Sequence, residues 1–138
     1  LKELVESEGL TGAVFFAGRL DREKMAEAYR KADIAINPSL VDNMPNSVLE
    51  ALASGVPVVS TNVGGVPFIV GHEQTALLVP AGSADEMAEA LRRLMNDPDL
   101  CEQLINNGLA EASKYTWQQV WPVLADVYDR ATLVSRQN

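Results

Sequence analysis

The sequence holds one cysteine and one histidine in 138 residues. A single thiol, Cys101, excludes an internal disulfide and fits a reducing, cytoplasmic compartment. The lone imidazole, His72, lies in the polar turn GHEQT with no second His or Cys beside it. It reads as a surface residue, not as a metal ligand or general base. No run of 18 apolar residues occurs, so no membrane-spanning helix is expected. The opening LKELVESEGL has neither a basic region nor an apolar stretch, so no signal peptide is expected there. Its first residue falls in mid-helix by pattern, which suggests a fragment of a longer chain. Basic residues are scarce, 11 against 19 acidic ones, and the acid excess extends over both halves. No stretch is basic enough to follow a phosphate backbone, and nucleic-acid binding is discarded. Any anionic ligand must be held by backbone dipoles or by charges from elsewhere.

What remains is the composition of a soluble globular domain, 47% apolar and 22% charged, long enough for one core. Short apolar runs alternate with helical patterns. AVFFAG (13–18), DIAINPS (33–39), VPVVST (56–61) and TALLVP (75–80) read as four strands. DREKMAEAYRKA (21–32) reads as a helix capped by Asp21, with Met25, Ala28 and Tyr29 facing inward. NSVLEALASG (46–55) is a helix closed by Gly55, and GGVPFIVG (64–71) is a turn with one helical turn after it. From Ser83 on the pattern is helical: one helix capped by Ser83, one opened by Pro98, and one capped by Thr116 and bent at Pro122. Cys101 falls on a core face, and Trp117 and Trp121, one turn apart, read as packing residues. Continuous apolar strands alternating with helices predict an α/β fold. The expected form is a doubly wound, Rossmann-like parallel sheet, incomplete at about four strands, with C-terminal helices. Ligands of such folds bind at the carboxyl ends of strands, where the loop PSLVDNMPN (38–46) lies.

A helix starting near Asn46 leaves the N–H groups of Ser47, Val48 and Leu49 without intrahelical acceptors, which makes an anion site. Glu50, in the first turn, would repel a phosphate aimed at it. Its useful partner is an adjacent diol such as a ribose, since a carboxylate accepts strongly from two hydroxyls. The other reading needs no ligand, because Ser47-Val48-Leu49-Glu50 also spells a capping box. The residues alone leave both open. Asp42 alone reads as a turn residue.

The string ADIAINPSLVDNMPNSVLEALASGVPVVSTNVGG (32–65) resembles, motif by motif, the C-terminal domain of family 4 retaining glycosyltransferases, which fold as two Rossmann-like domains. The motifs are a PS, two acids eight residues apart across a Met-Pro-Asn turn, then EA-A-G-PVV and a GG loop. The likeness runs from VFFAG to the TW and VY of the last helix. It implies that residues 1–138 are a donor-binding domain truncated at its N-terminal side, the acceptor domain being absent. Glu50 then inherits the donor ribose. Asn43, Met44, Pro45, Asn46, Ser47, Val48 and Leu49 form the loop and helix start facing the diphosphate. Asp42, one methylene shorter than the usual Glu, inherits the donor sugar. Gly64 and Gly65 are a donor loop or a plain turn, and Gly18 and Arg19 approach the nucleobase or are ordinary surface. Phe68 and Ala76 depart from the family's Glu and Gly.

The resemblance further implies a UDP- or GDP-sugar as substrate, with no cofactor and no bound metal. A hexosyl group would move to a hydroxyl acceptor with retention, in a parent that peripheral membrane association would suit. Basic groups for catalysis lie upstream, so this chain alone is expected to be inactive. In the family's strand order, 3-2-1-4-5-6, AVFFAG is the third strand and DIAIN the fourth. The edge at Ile34, Ala35 and Ile36 is then uncovered, and is expected to pair with VFFAG or to dimerise. The rival is a non-catalytic nucleotide-binding or interaction module, with a nucleotide-sugar epimerase as a more distant alternative.

Overall fold

The alternation resolves into three parallel strands and seven helices among the described residues, which in this computed structural model are 1–135, with side chains through Ala131. The strands are β1 (Ala35–Asn37), β2 (Val58–Thr61) and β3 (Leu77–Val79), side by side in that order. Ile36 stands opposite Val59, and Ser60 opposite Leu78. The helices are α1 (Lys2–Ser7), α2 (Arg22–Lys31), α3 (Asn46–Ala53), α4 (Val66–Ile69), α5 (Ala84–Asn96), α6 (Pro98–Ser113) and α7 (Trp117–Ser135). None of the described helices is long and apolar enough to cross a membrane.

Period-2 alternation on β2 sorts the core. Val58 packs with Val48, Ala51 and Leu52 of α3, while Val59 packs with Leu77 and with Leu94 of α5. Successive strand residues point to opposite faces, so α3 and α5 cover the two sides of the sheet. Leu52, Leu77 and Leu104 are fully buried. Each contributes about 1.5–3 kcal/mol by leaving water. At Gly108 of α6 a Cβ would stand 2.8 Å from Leu52 Cδ2, so α6 lies close on α3 because this position has no side chain. The expected caps form where the signal is local. Asp21 accepts from Lys24 N–H at 2.9 Å, and Ser83 from Glu86 N–H at 3.4 Å. Asp97 caps the helix that Pro98 opens. Thr116 stands just before α7, its carbonyl accepting from Val120 N–H at 3.0 Å, while its hydroxyl donates back to Ser113 O at 3.1 Å. Pro122 lies inside α7.

Three strands form where four were expected. AVFFAG (13–18) is not one of them: among the described residues no strand runs beside it, and residues 15–18 make no backbone hydrogen bond. An apolar run becomes a strand only when another backbone completes its ladder. Phe15 is consequently 89% exposed, and Lys2 Nζ sits 5.8 Å from the Phe16 ring. The same lack corrects α2, which buries no residue: Met25 and Ala28 are exposed, and Tyr29 is half-buried. The β1 edge is open, with Ile36 half-exposed. Cys101 is only half-buried. Trp117 and Trp121 meet at 5.3 Å between ring centroids but are both largely exposed.

Candidate functional site

Two loops leave the carboxyl ends of β1 and β2 and lock together. Gly65 N–H donates to Asp42 O at 2.7 Å. A Cβ at Gly64 would lie 2.0 Å from Asp42 O, and one at Gly65 would lie 2.1 Å from Asn43 O. Gly64 also holds a φ of +50°, in the left-handed region that favours glycine. The glycine pair is therefore more than a plain turn, since no other residue type lets the backbones meet. The 38–45 loop has a second tether in Thr61, whose hydroxyl donates to Ser39 O at 2.6 Å.

Within this frame Asp42 is half-buried, and its Oδ2 accepts from Asn37 Nδ2 at 3.2 Å. Asn37 Oδ1 accepts in turn from Ser39 Oγ at 2.6 Å. Asn43 and Met44 are exposed on the loop, while Pro45 is fully buried and anchors it.

Pro45, not Ser47, is the N-cap of α3, and no side chain caps the helix. The capping box spelled by Ser47 and Glu50 is thus not made, because Ser47 lies inside the first turn. The register follows burial: Pro45, Val48, Ala51 and Leu52 all face the core. The count of free amides also changes. Val48 and Leu49 N–H both reach Pro45 O, at 3.0 and 3.2 Å, and Asn46 N–H reaches Met44 O at 2.8 Å. Among the described residues this leaves Ser47 N–H as the amide of that turn without a protein acceptor. Asn46 and Ser47 are exposed, and Leu49 is half-buried.

Glu50 is exposed, and its Oε2 accepts from the Tyr29 hydroxyl at 3.3 Å. The same hydroxyl lies 3.1 Å from Ser47 O, so one proton is shared between the two acceptors. Burial, then the Glu50 charge and the hydrogen bond to it, push the Tyr29 phenol above its ordinary range. Tyr29 therefore keeps its proton at neutral pH and stays a donor to Glu50. Beside them a groove of about 420 Å³ runs between α2 and α3, lined by Leu20, Asp21, Met25, Tyr29, Glu50 and Ser54. Arg19 precedes this groove, exposed and free of ion pairs among the described residues, and Gly18 before it holds a φ of +67°.

The sequence reading missed Tyr29, Asn37 and Thr61 as members of this site. Tyr29 carried no signal beyond a helical period, and its partners lie 18 and 21 residues away. Asn37 did carry one, as a polar residue closing an apolar strand. The spelling Asp-x-Asp occurs once, at Asp97 and Asp99, but Asp97 is the cap of α6 and lies outside these loops. His72 is exposed as expected, yet its Nδ1 accepts from Leu78 N–H at 3.0 Å on the outer side of β3. The neighbouring Glu73, with a φ of +58°, pairs with Arg93 of α5.

Known proteins share both this sequence and this arrangement. A family model described as glycosyl transferases group 1 matches residues 1–111. The D-inositol 3-phosphate glycosyltransferase of Streptomyces bingchenggensis is 30% identical over 131 residues, 95% of this chain and 29% of that protein. The MMP alpha-(1->4)-mannosyltransferase of Mycolicibacterium hassiacum is 31% identical over 132 residues, 94% of this chain and 32% of that protein. Sucrose-phosphate synthase of Thermosynechococcus elongatus superposes with a TM-score of 0.89 at 30% identity, over 96% of this chain and 34% of the other. An Anabaena protein, Alr3699/HepE, solved in complex with UDP-glucose, has the same fold at a TM-score of 0.80 and 24% identity, over 91% of this chain and 36% of the other. The chain thus spans about a third of the length of these relatives. With one family model matching most of the chain, and the first acid and the glycine pair of that resemblance meeting at one sheet end, this chain belongs to the glycosyl transferases group 1 family.

Proposed function

We propose that this chain is the donor-binding part of a retaining glycosyltransferase that takes a UDP- or GDP-hexose. The observation that carries the reading is Glu50: exposed, just past the first turn of α3, held by Tyr29 and not engaged as a cap. A carboxylate presented in this way beside a free helix amide suits a ribose next to a diphosphate. The Anabaena neighbour solved with UDP-glucose supports a uridine donor, and the named relatives support sugar transfer.

In the reaction proposed, the sugar C1–O bond to the diphosphate breaks while the acceptor oxygen bonds C1 on the same face. The acceptor proton goes to the leaving phosphate oxygen. Ser47 N–H and the α3 dipole stabilise part of the charge that develops there. Asp42 and Glu50 oppose that charge, so cationic groups must come from the rest of the longer protein. No resident metal is required by this scheme.

Titration of the full-length protein with UDP-glucose and GDP-mannose, followed by anomeric NMR of the product, tests the reading. Binding of one donor and a retained anomeric configuration are expected. A protein that binds neither nucleotide, or inverts the sugar, is not this enzyme. The Tyr29→Phe protein should bind UDP about two- to tenfold more weakly, because Glu50 loses a hydrogen bond of roughly 0.5–1.5 kcal/mol. Unchanged UDP affinity in that variant would remove Tyr29 from the site.

A second reading, a nucleotide-binding or interaction module without transfer, is favoured by Phe68. This side chain is 87% exposed on α4, three residues after Gly65, where the family carries a carboxylate. Donor binding without turnover in the full-length protein would decide for it.

A further inference from the structure

We propose that Asn37 is a positioning residue for Asp42, fixing its carboxylate so that one oxygen is offered to the donor sugar. The inference rests on the donor-site reading above and adds to it a residue that the family resemblance does not name.

Asn37 ends β1 and is only 9% exposed. A polar side chain at the end of an apolar strand is costly unless its hydrogen bonds are made. Both ends of this amide are engaged. Ser39 Oγ donates to Oδ1 at 2.6 Å, and Nδ2 donates to Asp42 Oδ2 at 3.2 Å. The carboxylate, which can only accept, sets the polarity of the amide. Its NH2 end faces Asp42, and the Ser39 hydroxyl donates to the carbonyl end.

The loop itself does not depend on this amide. Its backbone is held by Thr61 Oγ1 on Ser39 O and by Gly65 N–H on Asp42 O. Apart from its bond with Ser39 Oγ, the Asn37 side chain therefore acts on the carboxylate. Asp42 has one torsion fewer than a glutamate, so a single donor suffices to fix its orientation. Oδ2 is taken by Asn37, and Oδ1 has no protein donor among the described residues. The geometry makes Asp42 a one-oxygen acceptor for a sugar hydroxyl.

A double-mutant cycle in the full-length protein tests this, with Asn37→Ala, Asp42→Ala and the pair, reading kcat, the donor KM and the Kd for UDP. Asn37→Ala is expected to lower kcat about tenfold, the scale of a small misplacement of a reacting group, and to leave the UDP Kd within about twofold. In the Asp42→Ala background the same change should move kcat by less than about twofold. An equal kcat loss in both backgrounds, or a UDP Kd that weakens in parallel, overturns the proposal in favour of a structural role.

If Asn37→Ala does not fold, Ser39→Ala takes its place. That variant removes the tie on the carbonyl end and holds the amide less firmly, and should give a smaller kcat loss that likewise vanishes in the Asp42→Ala background. Persistence of that loss there overturns the proposal too. A wild type that binds no nucleotide sugar defeats the donor-site reading and this inference together. A wild type that turns over with additive mutants defeats this inference alone.

Discussion

Gly65→Ala is expected to lose stability and nucleotide affinity together. The new Cβ would stand 2.1 Å from Asn43 O and 2.8 Å from its carbonyl carbon. Those atoms are backbone and cannot swing aside as a side-chain end can. Relief requires the two loops to part by about 1 Å, which breaks the 2.7 Å bond from Gly65 N–H to Asp42 O. The lost bond and the overpacking add to about 2–4 kcal/mol, or a melting temperature lower by roughly 10 °C. Parting the loops also shifts Asp42, so UDP-sugar affinity should fall at least about tenfold. Gly18→Ala is the contrast. Its φ of +67° is equally awkward for a side chain, yet a Cβ there meets nothing within 4 Å. It should cost only the left-handed strain of about 1–2 kcal/mol. Thermal unfolding and UDP-glucose titration of both variants check the pair. A Gly65→Ala protein that melts and binds like wild type would show that loop contact does not shape the site.

The elements legible in the sequence were those whose signals are local. Asp21 and Ser83 each stand three residues before the amide they cap, and the helices begin after them. Parallel pairing of the other three strands followed from their unbroken apolar runs. AVFFAG carries an equally strong run and is no strand, because a strand is defined by its neighbour and not by its composition. Met25 and Ala28 were misread for the same reason: helical period says that a face is apolar, not that anything covers it. The capping box failed through packing. Burial of Pro45 with Val48 and Leu52 starts the helix two residues too early for Ser47 to cap it. The glycine pair was legible as a motif, whereas its contact with Asp42 and Asn43 required the fold, since it joins residues about 22 positions apart.

The absent capping box makes Glu50→Gln a clean experiment. In a capping helix the substitution would disturb the α3 N-terminus. Here no cap depends on it, so the melting temperature should stay within a degree or two, roughly the shift of 0.5 kcal/mol. Gln retains an acceptor oxygen for the Tyr29 hydroxyl, so the side chain should keep its place. What is lost is the charge. A charge-assisted bond to a diol is worth roughly 1.5–3 kcal/mol, so UDP affinity should fall about ten- to a hundredfold. An internal reporter accompanies the change. The Glu50 charge is one cause of the raised Tyr29 phenol, after burial, so in Glu50→Gln that phenol should ionise at a lower pH than in wild type. This shift confirms that the substitution acted where intended, with no donor present. The ribose contact is then isolated by the ligand. Wild type should bind UDP more tightly than 2′-deoxy-UDP, and Glu50→Gln should bind the two nearly alike. If the phenol shifts while the mutant still discriminates between the nucleotides as wild type does, Glu50 faces no ribose diol.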